Sequence, residues 1–134
     1  MVDGDSFYFL LSAKEPRPGE MTLKRGKDAN VWGDDAIELF LYPPAMDNRY
    51  YHVAVNALGE VYDARCPGNE TAHDLGVVAK GRVLADRYVI ELKVPAAKII
   101  KTKRPPDKLA VAGFFDNILV GNGSADAQAD IILL

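Results

Sequence analysis

Apolar and polar positions alternate with a period of two along most of this chain, the pattern of strands that bury one face. Phe7, Phe9 and Leu11 alternate with Tyr8, Leu10 and Ser12. Pro16, Pro18 and Gly19 then break the run. Ile37, Leu39 and Leu41 alternate with Glu38, Phe40 and Tyr42, up to the stop at Pro43-Pro44. Tyr51, Val53 and Val55 alternate with His52, Ala54 and Asn56. A short turn at Ala57 to Gly59 leads into Val61 to Ala64, so residues 50–64 read as a hairpin. Val77 to Val83 and Tyr88 to Val94 form a second pair joined near Ala85-Asp86. Leu109 to Phe115 and Ile131 to Leu134 read as further strands.

Helical periodicity is nearly absent. The one candidate is Pro95 to Ile100, where a proline suits the first helical position. The predicted class is therefore all-β, an antiparallel β-sandwich of immunoglobulin or jelly-roll type. The chain enters its first strand almost at once, after Asp3-Gly4-Asp5-Ser6. That strand is expected at a sheet edge, or beside a partner that is missing. The expectation is one domain over 1–134, lacking N-terminal strands and belonging to a longer polypeptide. The basic, Pro-containing stretch from Lys98 to Lys108 reads as a solvated loop.

A chain of 134 residues buries roughly 65–70% of its unfolded surface, enough for a core of its own. Its 49% hydrophobic and 26% charged content argues against global disorder. No apolar run reaches the ~18 residues of a membrane helix, so no membrane partner is expected. A net charge of -3 without a long basic run argues against nucleic acid. One cysteine, Cys66, makes neither an internal disulfide nor a Cys-based zinc cage, and its Arg-Cys-Pro-Gly setting reads as an inert loop thiol. The acidic N-terminus shows no signal peptide.

Catalytic motifs fail one after another. There is no Walker sequence, no dinucleotide fingerprint, no His-Glu-x-x-His and no Gly-x-Ser-x-Gly elbow. Asn69-Glu70-Thr71 and Asn122-Gly123-Ser124 match the glycosylation sequon, which asparagines in loops explain as well. Asp34, Asp35 and Glu38 invite a two-carboxylate glycosidase reading, but a domain this small offers no obvious deep cleft.

The informative stretch surrounds Trp32, the only tryptophan, in the loop Asn30-Val31-Trp32-Gly33-Asp34-Asp35. A partly exposed indole suits the C–H face of a pyranose, and a tryptophan folded over the end of the sheets explains the position equally well. On the following strand Glu38 points outward with Phe40 and Tyr42, opposite Ile37, Leu39 and Leu41. His52 and Asn56 share a face of the next strand. If the two strands are neighbours, Glu38, His52 and Asn56 line one polar surface able to bond hydroxyls. Each has an ordinary explanation too: a solvated glutamate, a surface histidine, an asparagine bonding its own turn.

These residues resemble family 9 carbohydrate-binding modules and their broader relatives. Trp32-Gly33-Asp34-Asp35-Ala36-Ile37-Glu38-Leu39-Phe40 is similar to their signature of tryptophan, acidic pair, glutamate and phenylalanine. Residues 50–63 resemble their next hairpin, Tyr88 to Pro95 their late strand, and Phe7-Tyr8-Phe9 to Glu15-Pro16 their opening. The likeness runs from about residue 5 to residue 116. It implies a non-catalytic module that binds xylan- or cellulose-type polysaccharide and targets a covalently linked glycoside hydrolase, outside the cell or in the periplasm. In that family two tryptophans sandwich a terminal sugar. Trp32 matches the first, Glu38 the glutamate, and Asn56 an asparagine, while His52 falls near an arginine. The second tryptophan has no counterpart, and Phe114 or Phe115 stands where it would be. The resemblance also brings a structural calcium, through regions without a clear match here, and no other cofactor. Two alternatives stand beside this reading. One is a ligand-free structural or interaction sandwich. The other is a haem-binding electron-transfer domain, which would need axial ligands such as Met21, Met46 or His52 in an apolar pocket.

Overall fold

A computed structural model describes residues 6–24, 26–41, 49–68, 71–72, 74–99 and, for the backbone, 129–133. The described chain is all-β. Its strands are β1 (Ser6–Lys14), β2 (Ala36–Leu41), β3 (Tyr50–Asn56), β4 (Val61–Cys66), β5 (Val78–Val83), β6 (Arg87–Pro95) and β7 (Ala129–Leu133). They form two antiparallel sheets, ordered β5-β6-β1-β7 and β2-β3-β4. Among the described residues the one α-helical turn is α1 (Ala96–Ile99), within the predicted Pro95 to Ile100, but Pro95 ends β6 instead of opening the helix.

Alternation decides what is buried. In β1 Phe7, Phe9, Leu11 and Ala13 are buried, and in β6 Tyr88, Ile90, Leu92 and Val94. Their counterparts in the second sheet are Ile37, Leu39 and Leu41 of β2 with Tyr51, Val53 and Val55 of β3. All belong to one apolar cluster, so the two sheets share a core. Both hairpins form as expected. The β3–β4 register pairs Val55 with Val61, and the β5–β6 register pairs Val83 with Tyr88.

Two expectations need correction. The first strand is not at an edge: β1 lies between β6 and β7, pairing Ser12 with both Val89 and Asp130. Its second neighbour comes from the far end of the chain, a pairing that local periodicity cannot reveal. Cys66 is not a loop thiol either. The strand runs on to pair Cys66 with Tyr50, which leaves the thiol 2% exposed. The predicted strand Leu109 to Phe115 and most of the basic stretch Lys98 to Lys108 lie outside the described residues.

Candidate functional site

The side of β2-β3-β4 turned from the shared core carries a second, smaller apolar cluster. Ala36, Ala54, Tyr62, Ala64 and Cys66 belong to it, together with Val31 from the segment before β2. Ala54 of β3 and Ala64 of β4, diagonal to each other in the register, are both small and fully buried on this side. The turn bearing Val31 and Trp32 packs on this side of the sheet and adds Val31 to the cluster. That turn is a single 3₁₀ turn, Val31–Gly33, closed by Gly33 N–H to Asn30 O and Asp34 N–H to Val31 O, each 2.9 Å. It buries Val31 completely and leaves Trp32 39% exposed.

Trp32 sits on other rings. Its ring centroid is 4.6 Å from that of Tyr62, edge to face, and 5.7 Å from His52. His52 stacks nearly parallel on Phe40 at 4.6 Å and meets Tyr62 at 5.3 Å. Phe40 in turn lies 6.0 Å from Tyr50. The register explains these meetings. Phe40 is directly opposite His52, and Tyr62 is opposite Ala54, two residues along β3 from His52.

Glu38 is opposite Ala54, diagonal to His52, and its side chain crosses the small alanine to reach the imidazole. His52 Nε2 and Glu38 Oε2 are 2.7 Å apart, with both side chains largely shielded from solvent. A carboxylate has room for further donors, so Glu38 can still accept a hydroxyl. Trp32, Glu38 and His52 are thus brought together as the sequence suggests.

Asn56 is not part of that surface. It is fully buried, and its amide donates to Asp34 Oδ2 at 3.1 Å. Its Oδ1 accepts the backbone N–H groups of Leu58 and Glu60 at 3.1 and 3.0 Å, which ties the β3–β4 turn. The turn-bonding explanation is the one observed, because a strand-end asparagine can satisfy the turn amides that no ladder reaches. Asp34 and Asp35 are structural as well. Asp34 Oδ2 accepts Lys24 N–H, Asp35 carboxylate accepts Thr22 N–H, and Asp35 N–H donates to Thr22 O. Both carboxylates pin residues 22–24 beside the start of β2, and neither is placed as a glycosidase acid.

Phe114 and Phe115, with His73, Met46 and both sequon asparagines, lie outside the described residues. Met21 packs against the shared core. Tyr62 was missed by sequence reading, although its alternation with Val61 and Asp63 put it on the face of the hairpin that carries His52. Among the described residues no three His, Cys, Asp or Glu side chains group as metal ligands. No helix among them is long and apolar enough to cross a membrane.

Burial pushes the Tyr62 hydroxyl above the usual tyrosine range, with the nearby Cys66, Asp28, Asp63 and Tyr50 adding to the shift. The ring cluster therefore carries a neutral phenol at neutral pH. The arrangement offers one half-exposed indole, a floor of rings and a hydrogen-bonded carboxylate–imidazole pair. Comparison of the chain with family models, curated proteins and solved structures found no match.

Proposed function

We propose that this chain is a non-catalytic carbohydrate-binding module whose sugar rests against Trp32 on the outer side of β2-β3-β4. The observation that carries the reading is the half-exposed indole held over a Glu38–His52 pair. An indole face covers the apolar C–H side of a pyranose, and a carboxylate beside it accepts the equatorial hydroxyls. The ligand class is a plant-type β-linked glycan such as xylan or cellulose. The module's role is to hold a covalently linked glycoside hydrolase near that polymer, in an extracellular or periplasmic setting. The Glu38 contact to Nε2 and the Phe40 stack give His52 neighbours unlike those of an axial haem ligand.

The competing reading is a ligand-free interaction domain. It is favoured by the filling of the outer face: Val31, Ala54 and Ala64 are fully buried and Tyr62 nearly so. Titration with soluble cello- and xylo-oligosaccharides, followed by Trp32 fluorescence, separates the two. The expected affinity is weak, on the order of 10–1000 μM, because a shallow site buries little area and hydroxyls trade water for protein. Trp32→Ala abolishes binding, and Glu38→Ala weakens it by roughly 1–3 kcal/mol. A flat response across the panel sinks the proposal in favour of the ligand-free domain.

A further inference from the structure

The opposite side of the molecule carries a different chemistry. On β5 and β6 the outward positions are Val78, Lys80 and Arg82, then Val89, Glu91 and Lys93, and Tyr8 continues the row on β1. Lys93 stands between Val78 and Tyr8, and Lys80 is opposite Glu91. Lys80, Arg82 and Lys93 are exposed, and none of the three has an ion pair among the described residues. Strand geometry sets Lys80 and Arg82 ~7 Å apart, with the next strand ~5 Å away. Among the described residues named on these strands three cations stand with one carboxylate, in a chain whose net charge is -3.

A groove of about 220 Å³ opens on this surface. Val78 gives it an apolar floor, Tyr8 one wall, and Lys80, Lys93 and Glu91 the rim. The Lys93 ammonium sits 5.6 Å from the centre of the Tyr8 ring. An aromatic wall with an apolar floor suits the C–H face of a sugar, while the Lys80 and Lys93 ammonium groups at the rim, neither in an ion pair among the described residues, suit a carboxylate.

We infer that the β5–β6–β1 face is a second ligand site, independent of the Trp32 surface, that takes a carboxylate-bearing saccharide such as a polyuronate chain. Tyr8 stacks on one sugar ring, Lys93 and Lys80 bind its carboxylate, and Arg82 meets the next anionic unit along the strand. The ring and the apolar floor favour a uronate over an acidic peptide, whose carboxylates sit on flexible stems without a flat C–H face to stack. Nothing in this inference requires the neutral-glycan reading to be correct, because the two surfaces lie on different sheets.

The test is calorimetric titration of the whole chain with oligogalacturonides in low-salt buffer containing a chelator. Three arms accompany it: neutral xylo-oligosaccharide, a short polyglutamate, and the same oligogalacturonide at raised salt. Binding of the uronate is expected, weakening as salt screens the cations. Lys80→Glu combined with Lys93→Glu weakens it roughly tenfold or more with an unchanged circular dichroism spectrum, since both side chains are exposed. Tyr8→Leu, which keeps bulk and net charge, also weakens it severalfold, whereas Trp32→Ala leaves it unchanged. Absence of uronate binding, equal binding of polyglutamate, or indifference to both the charge-reversal and Tyr8 variants overturns the proposal. Loss of xylo-oligosaccharide binding alone bears on the Trp32 surface and not on this one.

Discussion

Asn56 organises more of the site than any residue that touches solvent there. One side chain satisfies two turn amides and donates to the buried Asp34, which in turn holds Lys24 N–H. Truncation would take the acceptor from both turn amides and one donor from the buried Asp34. Asn56→Ala is therefore expected to cost ~2–4 kcal/mol in urea denaturation. Loss of less than ~1 kcal/mol would mean the turn finds other partners. Asp63 is the opposite case. It is 1% exposed, its Oδ2 accepts Leu75 N–H at 3.1 Å, and its Oδ1 has no partner among the described residues. Burial pushes its carboxyl above the ordinary 3.8, Asp74 and Asp28 add to this, and the Leu75 amide and Lys27 work against it. The native state thus holds its proton more tightly than the unfolded chain. The stabilisation this brings is full below pH 3.8 and is lost as pH rises through the raised native value. Asp63→Asn, which keeps the acceptor for Leu75, should gain on the wild type as pH climbs across that window. Denaturation curves at several pH values check this, and a pH-independent difference would refute it.

At the level of elements, the two sheets meet tightly where β5 passes the β3–β4 turn. A Cβ on Gly81 would collide with the Ala57 carbonyl, lying 2.6 Å from its carbon and 2.8 Å from Gly59 N. Gly59 itself turns at φ +88°, a conformation glycine adopts without strain. Backbone lies against backbone, so no flexible side chain can yield. Gly81→Ala is expected to cost about 2–4 kcal/mol or to displace β5, lowering the melting temperature by several degrees. Gly19→Ala, with open space around it, serves as the near-neutral control. The hairpins themselves were legible in the sequence, since alternation and a short turn both act within a dozen residues. The place of β1 was not, because its β7 partner arrives from the other end of the chain. The site shows the same division. Glu38 and His52 could be placed on one surface by parity alone. The burial of Asn56 depended on where residues 22–34 fold back, and that no period reports.

Tyrosine burial ties the whole molecule to alkaline pH. Tyr88 lies at 0% exposure in the shared core, and its hydroxyl has no partner among the described residues. Burial, with the Asp35 and Glu15 carboxylates adding to it, pushes its ionisation far above the usual 10.0. Burial also raises Tyr51, against the pull of Arg65 and Arg49, and it raises Tyr62. All three shifts have the same sign. Below pH 10 the phenols are neutral in both states and their contribution is fully present. Above it the unfolded chain ionises first, and stability falls as pH rises towards the native values, by up to ~1.4 kcal/mol per unit for each fully shifted group. Cooperative unfolding in alkali should therefore coincide with the tyrosinate absorbance of the buried rings. Tyr88→Phe removes the largest of these contributions along with an unpaired buried hydroxyl. It should match or exceed wild-type stability at neutral pH, by up to about 1 kcal/mol, and move the alkaline midpoint upward. Circular dichroism and tyrosinate absorbance recorded together from pH 9 upward decide it. A midpoint unchanged by the substitution would mean that the Tyr88 hydroxyl is not shielded in the folded protein.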